Sequence, residues 1–425
     1  MKKVTQFAFG ISCLALVSCG GGDDNSSGPP TAGPPPPAPT PTLSVTLSES
    51  TISVDVDEGE TQEFSVDASF TGNSTDPIIA DIEIGGRRYQ LAGDPTLSGS
   101  TFSVNFETVP FAPGGMSTSQ VTFRLCTTSA CDTVYPGSTQ TLTVELSVDL
   151  DDWETFQRNA KHDGYLAVAY NAADFGAAWN VPTEPVESPT AIAANDESVF
   201  FNVNTSNGRI QTRAVNPDDA ALQWSVDLGP GFYRGAPSVR DGRVISASMD
   251  TSSVSLPIQL LNEETGQLLG TVQYASQFAV PGAIVQFDGA FYLQSGYYGN
   301  VVFAWNSANA TEAWQVEPNP PGTGFVMEGQ SVAADEDFVY YYGISGLYVL
   351  DRTNGTTARF IADPFFAAAG ISYRGSYYAA PILTDTNLAI AFSGNKSPRQ
   401  ALPLNAYDLS DGSFSWRTGS TYVGT

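Results

Sequence analysis

Histidine occurs once in the 425 residues, at position 162, and cysteine only four times. A single imidazole rules out a histidine-rich metal centre and leaves one candidate for histidine acid–base chemistry. Cations are scarce too: 18 Lys plus Arg stand against 45 Asp plus Glu, a formal net charge of −27. Such a surface repels phosphate backbones and excludes nucleic acid as a partner. No apolar run is long enough for a membrane-spanning helix, since the run from Phe7 to Val17 falls well short of about twenty residues. Neither a G-x-S-x-G elbow nor a P-loop occurs, so hydrolase and nucleotide-binding readings have no support.

What is present begins with location. Lys2 and Lys3 precede the short apolar run, which has the form of an export signal over residues 1–18. Leu16-Val17-Ser18-Cys19 resembles the lipobox of bacterial lipoproteins. The resemblance implies that Cys19 is acylated as the first mature residue. In that family an aspartate after the cysteine commonly holds the protein in the inner membrane, so Gly20 implies a lipid anchor in the outer membrane, facing periplasm or cell surface. The alternative is a signal cleaved elsewhere. Loss of Lys2 and Lys3 leaves 16 cations against 45 acids, or −29. Residues 19–42, rich in Gly and Pro, cannot bury a core and form a tether. Cys126 and Cys131, in "RLCTTSACD", are expected to form a disulfide across a turn, with two free thiols as the alternative. A zinc site would need more ligands than lie nearby.

Between residues 43 and 150 apolar positions alternate: Val54 and Val56, Phe64 and Val66, Val121 and Phe123, Val144 and Leu146. About a hundred residues of half-buried strands predict a small antiparallel β-sandwich resembling immunoglobulin-like modules, without their buried cysteine pair or tryptophan.

From Asp151 onward an eleven-residue phrase recurs, as in "AYNAADFGAAW" from Ala169 and "AYDLSDGSFSW" from Ala406. Its third position is Asn171, Asn216, Asn262, Asn306, Asp351 or Asp408. Its seventh is glycine at Gly266, Gly355 and Gly412, and its last is tryptophan at Trp179, Trp224, Trp314 and Trp416 but Gly270 and Arg359 in two copies. The phrase resembles the tryptophan-docking repeat of quinoprotein-like β-propellers, a group that includes pyrroloquinoline-quinone (PQQ) dehydrogenases and the non-enzymatic outer-membrane assembly lipoprotein BamB. "WETFQRNAKHDGY" similarly resembles the opening found ahead of the first blade in many of them. The resemblance implies that His162 is a structural lock holding this opening onto the propeller. The alternative is a catalytic histidine, for which adjacent Asp163 does not establish the geometry.

The predicted fold class is all-β: a sandwich over 43–150, then over 151–425 a propeller of seven or eight blades with about five complete, expected to stop short of closing its ring. The acidic stretches 55–60, 149–153 and 335–338 read as solvated turns, with calcium sites as the alternative. The tyrosine clusters at 295–300, 339–343 and 373–379 read as blade packing or as exposed binding anchors. The expected function is a non-enzymatic, membrane-anchored scaffold for a protein or surface glycan, without cofactor. The alternatives are a PQQ-dependent dehydrogenase with calcium and a BamB-like assembly factor. No position is assigned to a cofactor or metal.

Overall fold

Alternation with period two turns one side of a strand to oil and the other to water, and the strands between Ser44 and Asp149 follow it. The computed structural model describes residues 41–181, 187–231, 235–247, 255–275, 282–295, 300–319, 325–326, 330–365, 373–374, 380–392 and 402–421. Cys19, the export signal and nearly all of the tether lie outside the described residues.

The first module comprises β1 (Ser44–Leu47), β2 (Thr51–Asp57), β3 (Glu63–Thr71), β4 (Ile79–Ile84), β5 (Tyr89–Leu91), β6 (Thr96–Ser98), β7 (Thr101–Thr108), β8 (Gly115–Cys126) and β9 (Gln140–Asp149). One sheet runs β1-β3-β7-β5 with β6 also on β7, and the other β2-β9-β8-β4. Val66, Val104 and Phe106 from the first and Val121, Phe123 and Val144 from the second are buried in one core. Phe64 stacks on Phe106 with ring centres 5.1 Å apart.

The module departs from the predicted all-antiparallel pairing. β2 and β9 run parallel, Thr51 opposite Thr143 through Asp57 opposite Asp149. After the short turn that follows β1, the chain leaves the first sheet and enters the second, where it lies beside β9 in the same direction. Cys126 and Cys131 are joined, their Cα atoms 5.0 Å apart.

From Ser188 five four-stranded antiparallel sheets follow in chain order: Ser188–Pro230, Ser238–Tyr274, Val285–Val316, Ala333–Ala362 and Ile382–Thr421, here blades 1 to 5. The first strands of successive blades 1 to 4 touch one another, which makes them the inner strands of the propeller. Apolar residues from facing blades fill the spaces between, such as Ile258, Phe291 and Trp305 between blades 2 and 3.

The repeated phrase forms the turn between the third and fourth strands. Its third residue accepts a hydrogen bond from the backbone two or three residues on, as Asn216 does from Asp218 N (2.8 Å), Asp351 from Thr353 N (2.9 Å) and Asp408 from Ser410 N (2.8 Å). The seventh residue is left-handed in all five blades: Ala220, Gly266, Ala310, Gly355 and Gly412, with φ between 57° and 77°. Three of the four repeat tryptophans donate from the indole N–H to the carbonyl just after the capping residue of the next blade: Trp179 to Pro217, Trp224 to Glu263 and Trp314 to Arg352. Beneath two of these rings a side chain is excluded, since a Cβ on Gly266 would lie 2.8 Å from Trp224 and one on Gly355 2.6 Å from Trp314.

The two copies without tryptophan resolve differently. Arg359 takes the ring's place, its guanidinium donating to Leu409 O and its aliphatic stem lying over Gly412. Gly270 leaves the place open, and there the next blade carries Ala310 instead of glycine.

Candidate functional site

The segment Trp153–His162 crosses the inner strands and meets each blade in turn. Trp153 exchanges two backbone hydrogen bonds with Ala194 of blade 1, both 2.8 Å. Glu154 O accepts from Val239 N of blade 2 (2.7 Å), and Thr155 Oγ1 donates to Ile284 O at the start of blade 3 (2.9 Å). Ala160 O accepts from Ala334 N of blade 4 (2.9 Å), and Lys161 O accepts from Leu383 N of blade 5 (2.9 Å). The segment is therefore a hub that ties five blades through backbone groups.

Its local shape follows from its sequence. Thr155 and Arg158 exchange backbone hydrogen bonds across a tight turn with Gln157 and Arg158 left-handed. Asn159 Oδ1 then accepts from Lys161 N (3.0 Å), and its Nδ2 donates to Asp163 (2.9 Å). Gly164, also left-handed, donates back to Gln157 O. These contacts account for the spacing of Trp, Asn, His and Gly in the opening motif.

His162 is completely buried. Its Nδ1 lies 2.7 Å from Phe156 O within the hub and its Nε2 2.8 Å from Val332 O of blade 4. A neutral ring donates to one of the two carbonyls and an imidazolium to both. Burial pushes the imidazole below its usual range, against the pull of the two carbonyls and of Asp163. Both ring nitrogens thus face backbone carbonyls, and among the described residues no hydroxyl or thiol hydrogen-bonds to the ring.

Arg158 links the hub to the sandwich. Its guanidinium donates to both carboxylate oxygens of Glu58, in the turn after β2, at 3.0 and 2.6 Å, with both side chains about 5% exposed. Glu58 also accepts from Ala167 N (2.6 Å), and Ala169 N donates to Phe111 O (2.8 Å). The acidic stretch 55–60 thus contains a buried ion-pair partner. Asp335, in the stretch 335–338, is taken up by its own turn, accepting from Phe338 N and Tyr340 Oη.

Beside the hub lies a polar cavity of about 600 Å³ lined by Asp151, Asp152, Glu154, Asp196 and Arg240 among others. Burial raises the Glu154 carboxyl to about 7 despite Arg240 at 3.0 Å. Asp152 is raised by burial and by Asp196 and Asp151 nearby. The Glu154 carboxyl can therefore carry a proton near neutral pH. Among the described residues, only Asp81, Cys126 and Cys131 form a group of three at metal-ligand distance. The two sulfurs are bonded to each other and Asp81 pairs with Arg124 at 2.6 Å, so this set does not suit calcium or a calcium-held quinone.

The capping residues Asn216, Asn262, Asn306, Asp351 and Asp408 are brought to the rim of one blade end with the turns that carry them, whereas Asn171 caps an isolated 3-10 turn, Ala172–Asp174. Trp416 is 37% exposed, unlike Trp224 and Trp314. Tyr340, Tyr341 and Tyr342 are buried between blades, while residues 296–299 and 375–379 of the other tyrosine clusters lie outside the described residues. Arg158, Glu58 and Arg359 had no sequence signal as partners, because each acts on a residue distant in the chain.

Among solved structures the chain is similar to BamB from Moraxella catarrhalis, with 16% identity over 57% of this chain and 64% of that one and a TM-score of 0.40. It is also similar to the quinohemoprotein alcohol dehydrogenase ADHIIG from Pseudomonas putida HK5, with 11% identity over 63% of this chain and 66% of that one and a TM-score of 0.40. The chain thus spans less than two thirds of either protein's length. No curated protein sequence matches it. Residues 162–418, more than half of the chain, match the family described as outer membrane protein assembly factor BamB, and the chain belongs to that family.

Proposed function

We propose that this protein is a non-enzymatic lipoprotein of the outer membrane, anchored through acylated Cys19, whose propeller is a scaffold for a protein partner. The immunoglobulin-like module between tether and propeller serves as a docked support for it. The observation that carries this reading is the hub: the only histidine is hydrogen-bonded to two backbone carbonyls, and the segment around it is hydrogen-bonded to all five described blades. Membership of the BamB family supports a role in binding. The lipobox-like sequence at residues 16–19 supports the anchor.

The test is a titration of the purified protein with PQQ and calcium, followed by absorbance and melting temperature, beside a dye-linked assay with alcohols and sugars. The expected result is no saturable binding and no dye reduction. Saturable binding with substrate oxidation would overturn the scaffold reading in favour of a dehydrogenase. Labelling with radioactive palmitate should mark the wild type and not Cys19→Ala, and equal labelling of both would sink the anchor.

A further inference from the structure

β8 is covered along its length on one side only. β9 pairs with it from Gly115 to Phe123, whereas β4 pairs with it only from Val121 onward. Gly85 N donates to Gln120 O across that second side, which fixes the direction in which the backbone groups of Gln120 point. By strand parity Thr118 and Met116 turn their N–H and C=O to the same side, where no strand pairs with them among the described residues. At the start of β8 Arg88 donates to Gly115 O (2.5 Å) and Gly114 O (3.4 Å).

Alongside the edge runs a cleft of about 540 Å³ between the sandwich and the chain leading to blade 1. Ser117, Thr118 and Ser119 form one wall, and Tyr170 and Phe175 stand on the other. Those two rings meet edge to face at 5.4 Å and are 43% and 70% exposed, while Met116 at the edge is 86% exposed. Arg87 also lines the cleft, exposed and without an ion pair among the described residues, in a chain whose acids outnumber its cations by 45 to 18.

We propose that this cleft binds an extended acidic peptide, added as a strand to the open edge of β8. Backbone groups of Met116 and Thr118 pair with the peptide main chain. Alternate peptide side chains enter the cleft, an aromatic one against Tyr170 and Phe175 and a carboxylate two residues away beside Arg87. An unpaired edge flanked by exposed apolar groups is otherwise a hazard for aggregation. The site is shared by the sandwich and the segment leading to blade 1, and it does not depend on the function proposed above.

The experiment uses the full chain carrying 13C-methyl methionine, with the Met116 signal assigned by Met116→Leu, and the probe peptide acetyl-Thr-Thr-Phe-Thr-Glu-Thr-amide. Saturable movement of the Met116 signal is expected, with Kd in roughly the micromolar to millimolar range. Arg87→Glu, or replacement of the peptide glutamate by lysine, should weaken binding about tenfold, as loss of one charge-assisted contact would. Backbone N-methylation of the peptide should abolish it. A stationary Met116 signal, or equal binding by the N-methylated peptide, would overturn strand addition. Equal binding of the glutamate and lysine peptides would overturn the acidic specificity.

Discussion

Replacing Gly266 by alanine probes why the repeat keeps a glycine under its tryptophan. The residue sits at φ 69°, where an added Cβ costs about 1–2 kcal/mol through backbone strain. The same Cβ would lie 2.8 Å from two Trp224 ring atoms and 3.0 Å from Val226, and such overpacking adds about 1–3 kcal/mol. Gly266→Ala should therefore destabilise the protein by about 2–5 kcal/mol in total. In a Trp224→Leu background the ring is gone and the cost should shrink to the strain and the lesser contact with Val226. Ala310 supplies a natural comparison: it holds the equivalent position at φ 57°, with Gly270 where the ring would be. Ala310→Gly should accordingly change stability by no more than about 1 kcal/mol, in the stabilising direction. Urea unfolding followed by circular dichroism reads all four variants. An equal cost of Gly266→Ala with and without Trp224 would refute the claim that ring docking dictates the glycine.

Other expectations concern the hub. Glu58→Ala removes the bidentate partner of a buried guanidinium, leaving it Tyr165 O and Asp151 at 3.5 Å, and should cost up to about 3–5 kcal/mol, with faster proteolysis between sandwich and propeller; unchanged proteolysis and stability would remove Glu58 as the link. The folded-state pKa of His162 lies below its ordinary value, so its stabilising share is complete above the unfolded pKa of about 6.5 and fades as pH falls through the folded one. The wild type should lose urea resistance between about pH 7 and pH 5 more steeply than His162→Gln, and parallel profiles would contradict this. Glu154 acts in the opposite sense: raised to about 7, it costs stability as pH climbs from its usual carboxylate range through neutrality. Glu154→Gln should therefore help more at pH 8 than at pH 5, a difference that pH-jump melting curves would reveal or deny.

Legibility in the sequence tracked the range of each interaction. The turn phrase was readable because its hydrogen bonds close within a few residues, from Asn216 to Asp218 or Asp408 to Ser410. Strand alternation exposed the sandwich core for the same reason, though it could not show that β2 joins β9 in parallel, since direction depends on which sheet the chain enters. The Arg359 copy looked like a lost tryptophan, yet a guanidinium N–H on a long stem satisfies the same carbonyl. Glu58 looked like a solvated acid because its partner stands 100 residues away. The hub's targets were invisible in principle, being mostly backbone groups that every residue type possesses.

The hub has a consequence for how the protein is made. It is synthesised before any of the blades it holds, and its partners lie 129 residues downstream at Ile284 and 170 at Val332. Contacts of that span close slowly. Yet a segment already in place offers every later sheet a contact as it arrives, so that each blade can be held as it forms. Ten residues ahead of the first blade thus touch all five described blades, and substitutions in that short stretch should be felt in blades far from it.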